Sequence, residues 1–280
     1  MINTFYTGLR QPYEIKGLRA YWDANTAVTV GSGEAINEWS DKISNNLVSI
    51  KSGTIIFNAP TGSVHDMNGH RAVVWPNTNN NMALGTHSFV DVGVSPRSGD
   101  AFLLFALFKP HTTGETQVIA AYSSGAIGFV NANFRGWNCM FSGSRPQFAM
   151  KGASGTGLPI SATVTTSGSI VAEQPVVYMV NRSLNHERLT LSLNGNDSGT
   201  VPVGSGFSFV PGGGHLQFGG NRDASNDSRS SISDLIIYNR PIDFTAEEIN
   251  NIGIFLANKV GTTWRNIHAY NPHATGSGVR

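Results

Sequence analysis

Cysteine occurs once in the 280 residues, at Cys139, so no intrachain disulfide can form and stability has to come from packing. Such usage fits folding in a reducing compartment. Charge is also scarce: Asp, Glu, Lys and Arg make up 13% of the chain, and the net charge is +1. The Lys and Arg residues are scattered without a basic run, which excludes the electrostatic footprint of a nucleic-acid or anionic-membrane binder. No apolar stretch approaches the roughly 20 residues of a membrane span. The N-terminal MINTFYTGLRQPYE lacks a basic region followed by an apolar one, so no export through a signal peptide is expected. No repeat of the solenoid or propeller kind is present.

Catalytic patterns are missing too. Sandwich glycosidases set acid and nucleophile on one strand face in Glu-x-Asp-x-Glu spacing, so that the two carboxyls flank a sugar at about 5 Å. No such spacing occurs, and the adjacent Glu247 and Glu248 are explained by helix capping. His65, Asp66 and His70 lie close in sequence, but no H-x-H or H-E-x-x-H pattern exists, and zinc would lack a second cysteine. Ser124 in SSGAIG does not match a nucleophile elbow. The chain is therefore expected not to be an enzyme.

What is abundant is glycine, at 32 residues, beside 40% hydrophobic residues. That texture predicts strands joined by tight turns in one large all-β domain. Leu18, Ala20 and Trp22 alternate with polar or intermediate residues in a first core strand, and a hairpin is expected from 27–30 and 35–39 around Gly31-Ser32-Gly33. Further strands are expected at 47–50, 54–57 and 71–75. The run AFLLFALF at 101–108 reads as a central strand buried on both faces, with a buried helix as the alternative. A meander follows at 117–122, 126–131, 136–141 and 147–150, then a loop or weak edge hairpin over 151–168. Asn194-Gly195 predicts a tight hairpin between strands at 188–193 and 199–203.

The stretch SISDLIIYNRPIDFTAEEINNIGIFLANKVG, 231–261, is the best specified. It predicts a last strand ended by Arg240-Pro241, then a helix over 245–260. Thr245 and Glu248 form a capping box, Ile249, Ile252, Phe255, Leu256 and Val260 share a face, and Gly261 suits the left-handed residue past the end.

Taken in order, GLRAYWDANTAVTV, INEWSDKISNN, FLLFALFKP, LTLSLNGN, LQFGGN and the closing IIYNR, PIDFTAEE and LANKVG resemble the laminin G-like, concanavalin A-like jelly-roll domains of phage virion and bacterial surface proteins. The resemblance implies a two-sheet antiparallel jelly-roll sandwich (concanavalin A-like) with one late α-helix, spanning 17–261 between an N-terminal arm, 1–16, and a C-terminal tail, 262–280. It implies binding of glycans or proteins rather than catalysis.

Two polar loops have the oxygen chemistry of a calcium site: Asp41, Asn45 and Asn46, and Asp223, Asn226 and Asp227. Both also read as ordinary Asx turns. No cofactor other than calcium is suggested. A glycan platform needs an exposed aromatic beside amides or charged donors, which Trp75 with Asn77, or Trp137 with Arg135, would supply; Trp22 and Trp39 read as core. The function expected is a non-catalytic structural or adhesive component of a phage particle, in the capsid decoration or the tail. The alternative is a lectin-like carbohydrate-binding module using calcium, and the third reading is a glycan-active enzyme. The expected partners are other virion proteins, met through the two arms, a cell-surface glycan, and further copies of the chain. The expected location is the virion.

Overall fold

The computed structural model describes residues 10–26, 28–30, 36–43, 47–49, 61–74, 88–89, 100–123, 136–153, 159–165, 169–185, 187–203, 214–219 and 229–267. Among them the chain runs through a 3-10 turn, Pro12–Glu14, and then β1 (Leu18–Asp23), β2 (Val28–Val30), β3 (Ile36–Ser40), β4 (Leu47–Ser49), β5 (Thr61–Met67), β6 (His70–Val74), β7 (Ser88–Phe89), β8 (Ala101–Pro110) and β9 (Thr116–Ser123). It continues through β10 (Gly136–Ser142), β11 (Arg145–Ala153), β12 (Pro159–Thr165), β13 (Val176–Ser183), β14 (Arg188–Leu193), β15 (Asn196–Pro202), β16 (Gly214–Phe218) and β17 (Ser230–Arg240), ending in α1 (Ala246–Val260).

The strands form an eight-stranded sheet in the order β15-β14-β13-β8-β17-β6-β5, with β1 also on β17, a six-stranded sheet in the order β12-β11-β10-β9-β16-β7, and a small sheet β2-β3-β4. Every pairing is antiparallel. This is the two-sheet jelly-roll sandwich with one late helix that the sequence predicts.

Alternation along β8 explains the layering. Phe102, Leu104, Ala106 and Phe108 meet Ile119, Trp137, Cys139, Phe141 and Phe148 of the six-stranded sheet. Ala101, Leu103, Phe105 and Leu107 turn the other way, against Ile249, Ile252, Leu256 and Val260 of α1. A strand enclosed on both faces has to be apolar throughout, which is what AFLLFALF supplies. The molecule thus has three layers: six-stranded sheet, eight-stranded sheet, and helix.

β17 shares that double burial. A register shift between Ile232 and Asp234 breaks its alternation, so Ile232 joins Leu235 and Ile237 between the sheets, while Ile236 and Tyr238 face the helix. A strict period of two would have put Ile232 on the face of Ile236 and Tyr238; the bulge moves it to the other.

α1 begins as its sequence specifies. The Thr245 side chain accepts from the Glu248 amide at 3.2 Å, Glu248 Oε2 accepts from the Thr245 amide at 2.9 Å, and Gly261 closes the helix at φ 67°.

The described residues bear on three further expectations. Residues 11–16 are not a free arm: Ile15 is buried with the helix layer, and Tyr238 donates its hydroxyl hydrogen to the Pro12 carbonyl at 2.9 Å. The tail is likewise docked as far as Ile267. Trp264 packs 5.9 Å from Phe105, and the Asn250 side chain accepts from Trp264 Nε1 at 3.0 Å and from the Ile267 amide at 2.7 Å. The stretch 151–168 contains β12, an edge strand on β11, in keeping with the hairpin alternative. The expected strands at 54–57 and 126–131 lie outside the described residues.

Candidate functional site

The sequence GWNCMFS of β10 sends Trp137, Cys139 and Phe141 into the space between the sheets. Trp137 is fully buried and stacks on Tyr122 at 6.4 Å and Phe148 at 6.1 Å. The glycan platform expected at Trp137 is therefore corrected: a strand's period of two puts this ring in the core, where no sugar can lie on it. Burial pushes the Cys139 thiol up, which leaves it a small apolar filler rather than a nucleophile.

The same alternation turns Asn138 to the outer face. Register places Asn138 opposite Ala121 of β9 and Ala149 of β11, and continues the row to Gln217 of β16 and Thr163 of β12. Across five strands the row reads Gln, Ala, Asn, Ala, Thr. Asn138 is 2% exposed, and its Oδ1 makes no hydrogen bond. Ala121 and Ala149 beside it are equally withdrawn from solvent. A buried amide oxygen without a donor costs roughly 1–3 kcal/mol. No Asp or Glu occurs in any of the six strands of this sheet. Nothing on it could act as the carboxyl pair of a glycosidase.

Asp41, the one described member of the expected calcium loops, is wholly buried. Its Oδ1 accepts from the Tyr21 amide at 2.6 Å and the Ile43 amide at 3.1 Å, the second contact being an Asx turn. It joins the small sheet to β1 through the Trp22–Asp41 bridge. Asn45, Asn46, Asp223, Asn226, Asp227, Trp75, Asn77 and Arg135 lie outside the described residues. Among the described residues no group of three or more His, Cys, Asp or Glu is arranged to hold a metal ion. Trp22 and Trp39 are core, both against Phe218.

Two polar constellations escaped sequence reasoning because their members are far apart along the chain. In the first, His111 bridges Glu173 and Ser231, with Nδ1 2.8 Å from Glu173 Oε1 and Nε2 2.8 Å from Ser231 Oγ. That is the connectivity of a serine nucleophile, its base and an orienting carboxylate. Ser231, however, is 0% exposed, so no acyl group can reach it, and the chain of bonds ties β8, β17 and the 171–174 turn together. Burial pushes the Glu173 carboxyl up, but His111 and Lys109 outweigh it and hold Glu173 below the usual range.

The second joins α1 to the sheet. Asp23 and Asp234 are direct cross-strand partners on β1 and β17. Lys259, in the last turn of α1, donates to Asp234 Oδ1 at 2.6 Å and lies 3.6 Å from Asp23 Oδ1. Tyr21 donates to Asp234 Oδ1 at 3.0 Å, Ser233 donates to Asp234 Oδ2 at 2.6 Å, and Lys42 reaches Asp23 Oδ2 at 3.2 Å. Burial would raise Asp23, but Lys259, the Asn25 amide and Lys42 hold it below the ordinary carboxylate range. Burial, and the carboxylates of Asp234 and Asp23, push the Tyr21 phenol far up, so it remains a donor.

No protein-family model and no curated protein matches the sequence. Among solved structures, the chain is similar to the CBM40 of Ruminococcus gnavus IT-sialidase bound to α2,3-sialyllactose, with a TM-score of 0.49 and 11% identity over 63% of this chain and 92% of that one. It is similar to domain 4 of a GH43 extracellular arabinanase from Geobacillus stearothermophilus in complex with arabinotriose, with a TM-score of 0.48 and 14% identity over 83% and 96%. A Trypanosoma rangeli sialidase in complex with sialic acid gives a TM-score of 0.49 and 14% identity, over 89% of this chain and 34% of that one. The architecture above stands on its own strand order and register: an all-β sandwich.

Proposed function

We propose that the chain is a non-catalytic carbohydrate-binding module whose ligand seats on the outer face of the six-stranded sheet, across the row through Asn138. The observation that carries this reading is the unpartnered, almost fully buried Asn138 Oδ1 at the centre of a face whose strands contain no acidic residue. An amide accepts and donates at once, which suits a sugar hydroxyl that does both. Ala121 and Ala149 flank Asn138 in register, leaving its amide the polar group at the centre of the row. The absence of carboxylates in the sheet supports recognition without hydrolysis. A phage-particle role has no observation of this kind behind it, since residues 11–16 and 262–267, expected as partner-seeking arms, are occupied with the body of the fold.

The test is a glycan array spanning neutral and acidic sugars, read with wild-type protein and with Asn138→Ala, each with and without chelator. Binding by the wild type and at least tenfold weaker binding by the variant, with folding intact by circular dichroism, is the expected result; a tenfold loss corresponds to about 1.4 kcal/mol. A wild type that binds no glycan, or a variant that binds equally well, overturns the reading.

A further inference from the structure

The cluster at the foot of α1 holds more than an ion pair needs. It contains a primary amine, a carboxyl carbon within reach, a second carboxylate, and a hydrogen-bond donor on each oxygen of the first. We propose that Lys259 and Asp234 become joined by an intramolecular isopeptide bond, with Asp23 carrying the proton.

The geometry points to Asp234 as the electrophile. It is 0% exposed, its Oδ1 accepts from Tyr21 and Lys259, and its Oδ2 accepts from Ser233. Donors on both oxygens favour the charge that gathers there when a nucleophile adds to the carbon. Lys259 Nζ, 2.6 Å from Oδ1, is held against its target by the fold, so the step is intramolecular and needs no encounter. The Lys259 side chain is 13% exposed and those of Asp234 and Asp23 0% and 7%. In such a site an ammonium–carboxylate pair gains little from water, and exchanging it for a neutral amine and carboxylic acid is far easier than at the surface.

The step balances without a further reagent. The Lys259 ammonium passes one proton to Asp234, leaving an amine beside a carboxylic acid. The amine lone pair attacks Cγ of Asp234 and a C–N bond forms. The Asp23 carboxylate takes a second proton from that nitrogen and delivers it to the departing hydroxyl. The C–O bond then breaks, water leaves, and an amide remains. Asp23 returns to its starting state, paired with Lys42 at 3.2 Å. Its position supports the role, since Asp23 is the register partner of Asp234, and its Oδ1 lies 3.6 Å from the attacking nitrogen.

The experiment is intact-mass spectrometry of the purified full-length chain under denaturing conditions, followed by proteolysis. The expected result is a mass short by one water, and a branched peptide joining the segment that contains Asp234 to the one that contains Lys259. A full mass, with both segments recovered as separate linear peptides, overturns the proposal. Lys259→Arg and Asp23→Asn are both expected to give the full mass while remaining folded by circular dichroism. A cross-linked Asp23→Asn protein would overturn the shuttle. Should either variant fail to fold, the wild-type mass decides, and it does so independently of whether the chain binds a glycan.

Discussion

Glu248 answers to two neighbours at once. It caps α1 through the Thr245 amide, and it takes both terminal nitrogens of Arg240, at 2.8 and 2.6 Å. Burial alone would raise its carboxyl, but Arg240 and Thr245 outweigh burial and hold it below the usual range. A carboxylate depressed in the folded state contributes stability that is present above its unfolded value, about 4.3, and is lost as the pH falls through the folded one. Glu248→Gln should therefore cost about 1–3 kcal/mol near neutral pH. In urea unfolding, the gap between variant and wild type should narrow as the pH is lowered from about 7 to about 3. A constant gap would mean that the charge is immaterial. The capping half of this role was legible in the sequence, because Thr245 and Glu248 lie three residues apart. The Arg240 half was not, since it depends on how the chain turns at Pro241. Trp137 shows the opposite case: its neighbour Arg135 suggested an exposed platform, while the alternation of Trp137, Cys139 and Phe141 already marked it as core. Asn138, the residue that now matters most on that strand, had no signal of its own beyond being the polar member of an apolar run.

At the scale of the element, α1 carries an apparent flaw. Gly253 sits in its middle, where an alanine would ordinarily stabilise a helix by about 1 kcal/mol. Here a Cβ would meet the indole of Trp264. The missing side chain is what admits the tail, so Gly253→Ala should destabilise by about 1–3 kcal/mol, against helix propensity. A higher melting temperature for this variant would contradict the docking. Gly195 repeats the arrangement at the β14–β15 turn, where a Cβ would meet the backbone of Arg265 and where the Asn194 carbonyl accepts from the Arg265 amide at 2.8 Å. The turn itself, Asn194-Gly195 with both φ values positive, was readable from sequence. Asn68-Gly69 carries the same signal between β5 and β6 and was there to be read. β5 went unseen because TGSVHDM has no clean period of two.

For the whole molecule, the three layers predict how truncation divides the chain. Ending it after Gly261 removes Trp264 and exposes the groove at Gly253 and Phe105; the loss should be about 3–5 kcal/mol, the range for deleting a buried Trp side chain. Ending it after Ile267 keeps every contact described above. Denaturant midpoints of the two truncated proteins should therefore differ clearly, and equal midpoints would restore the free tail that sequence reading expected. The sandwich was legible because a strand buried on both faces and a fully capped helix each write a strong local pattern. The docked ends were not, because Ile15, Trp264 and Ile267 are single anchors without a period, and their partners lie across the fold.

Both ends of the described chain lie on the helix layer: Pro12 under Tyr238, and Ile267 on Asn250. The row through Asn138 lies on the far side of both sheets. The molecule thus has a back and a front. The first and last described contacts both lie at the back, so a substitution in the row through Asn138 is expected to leave the docking of Trp264 and Ile267 untouched.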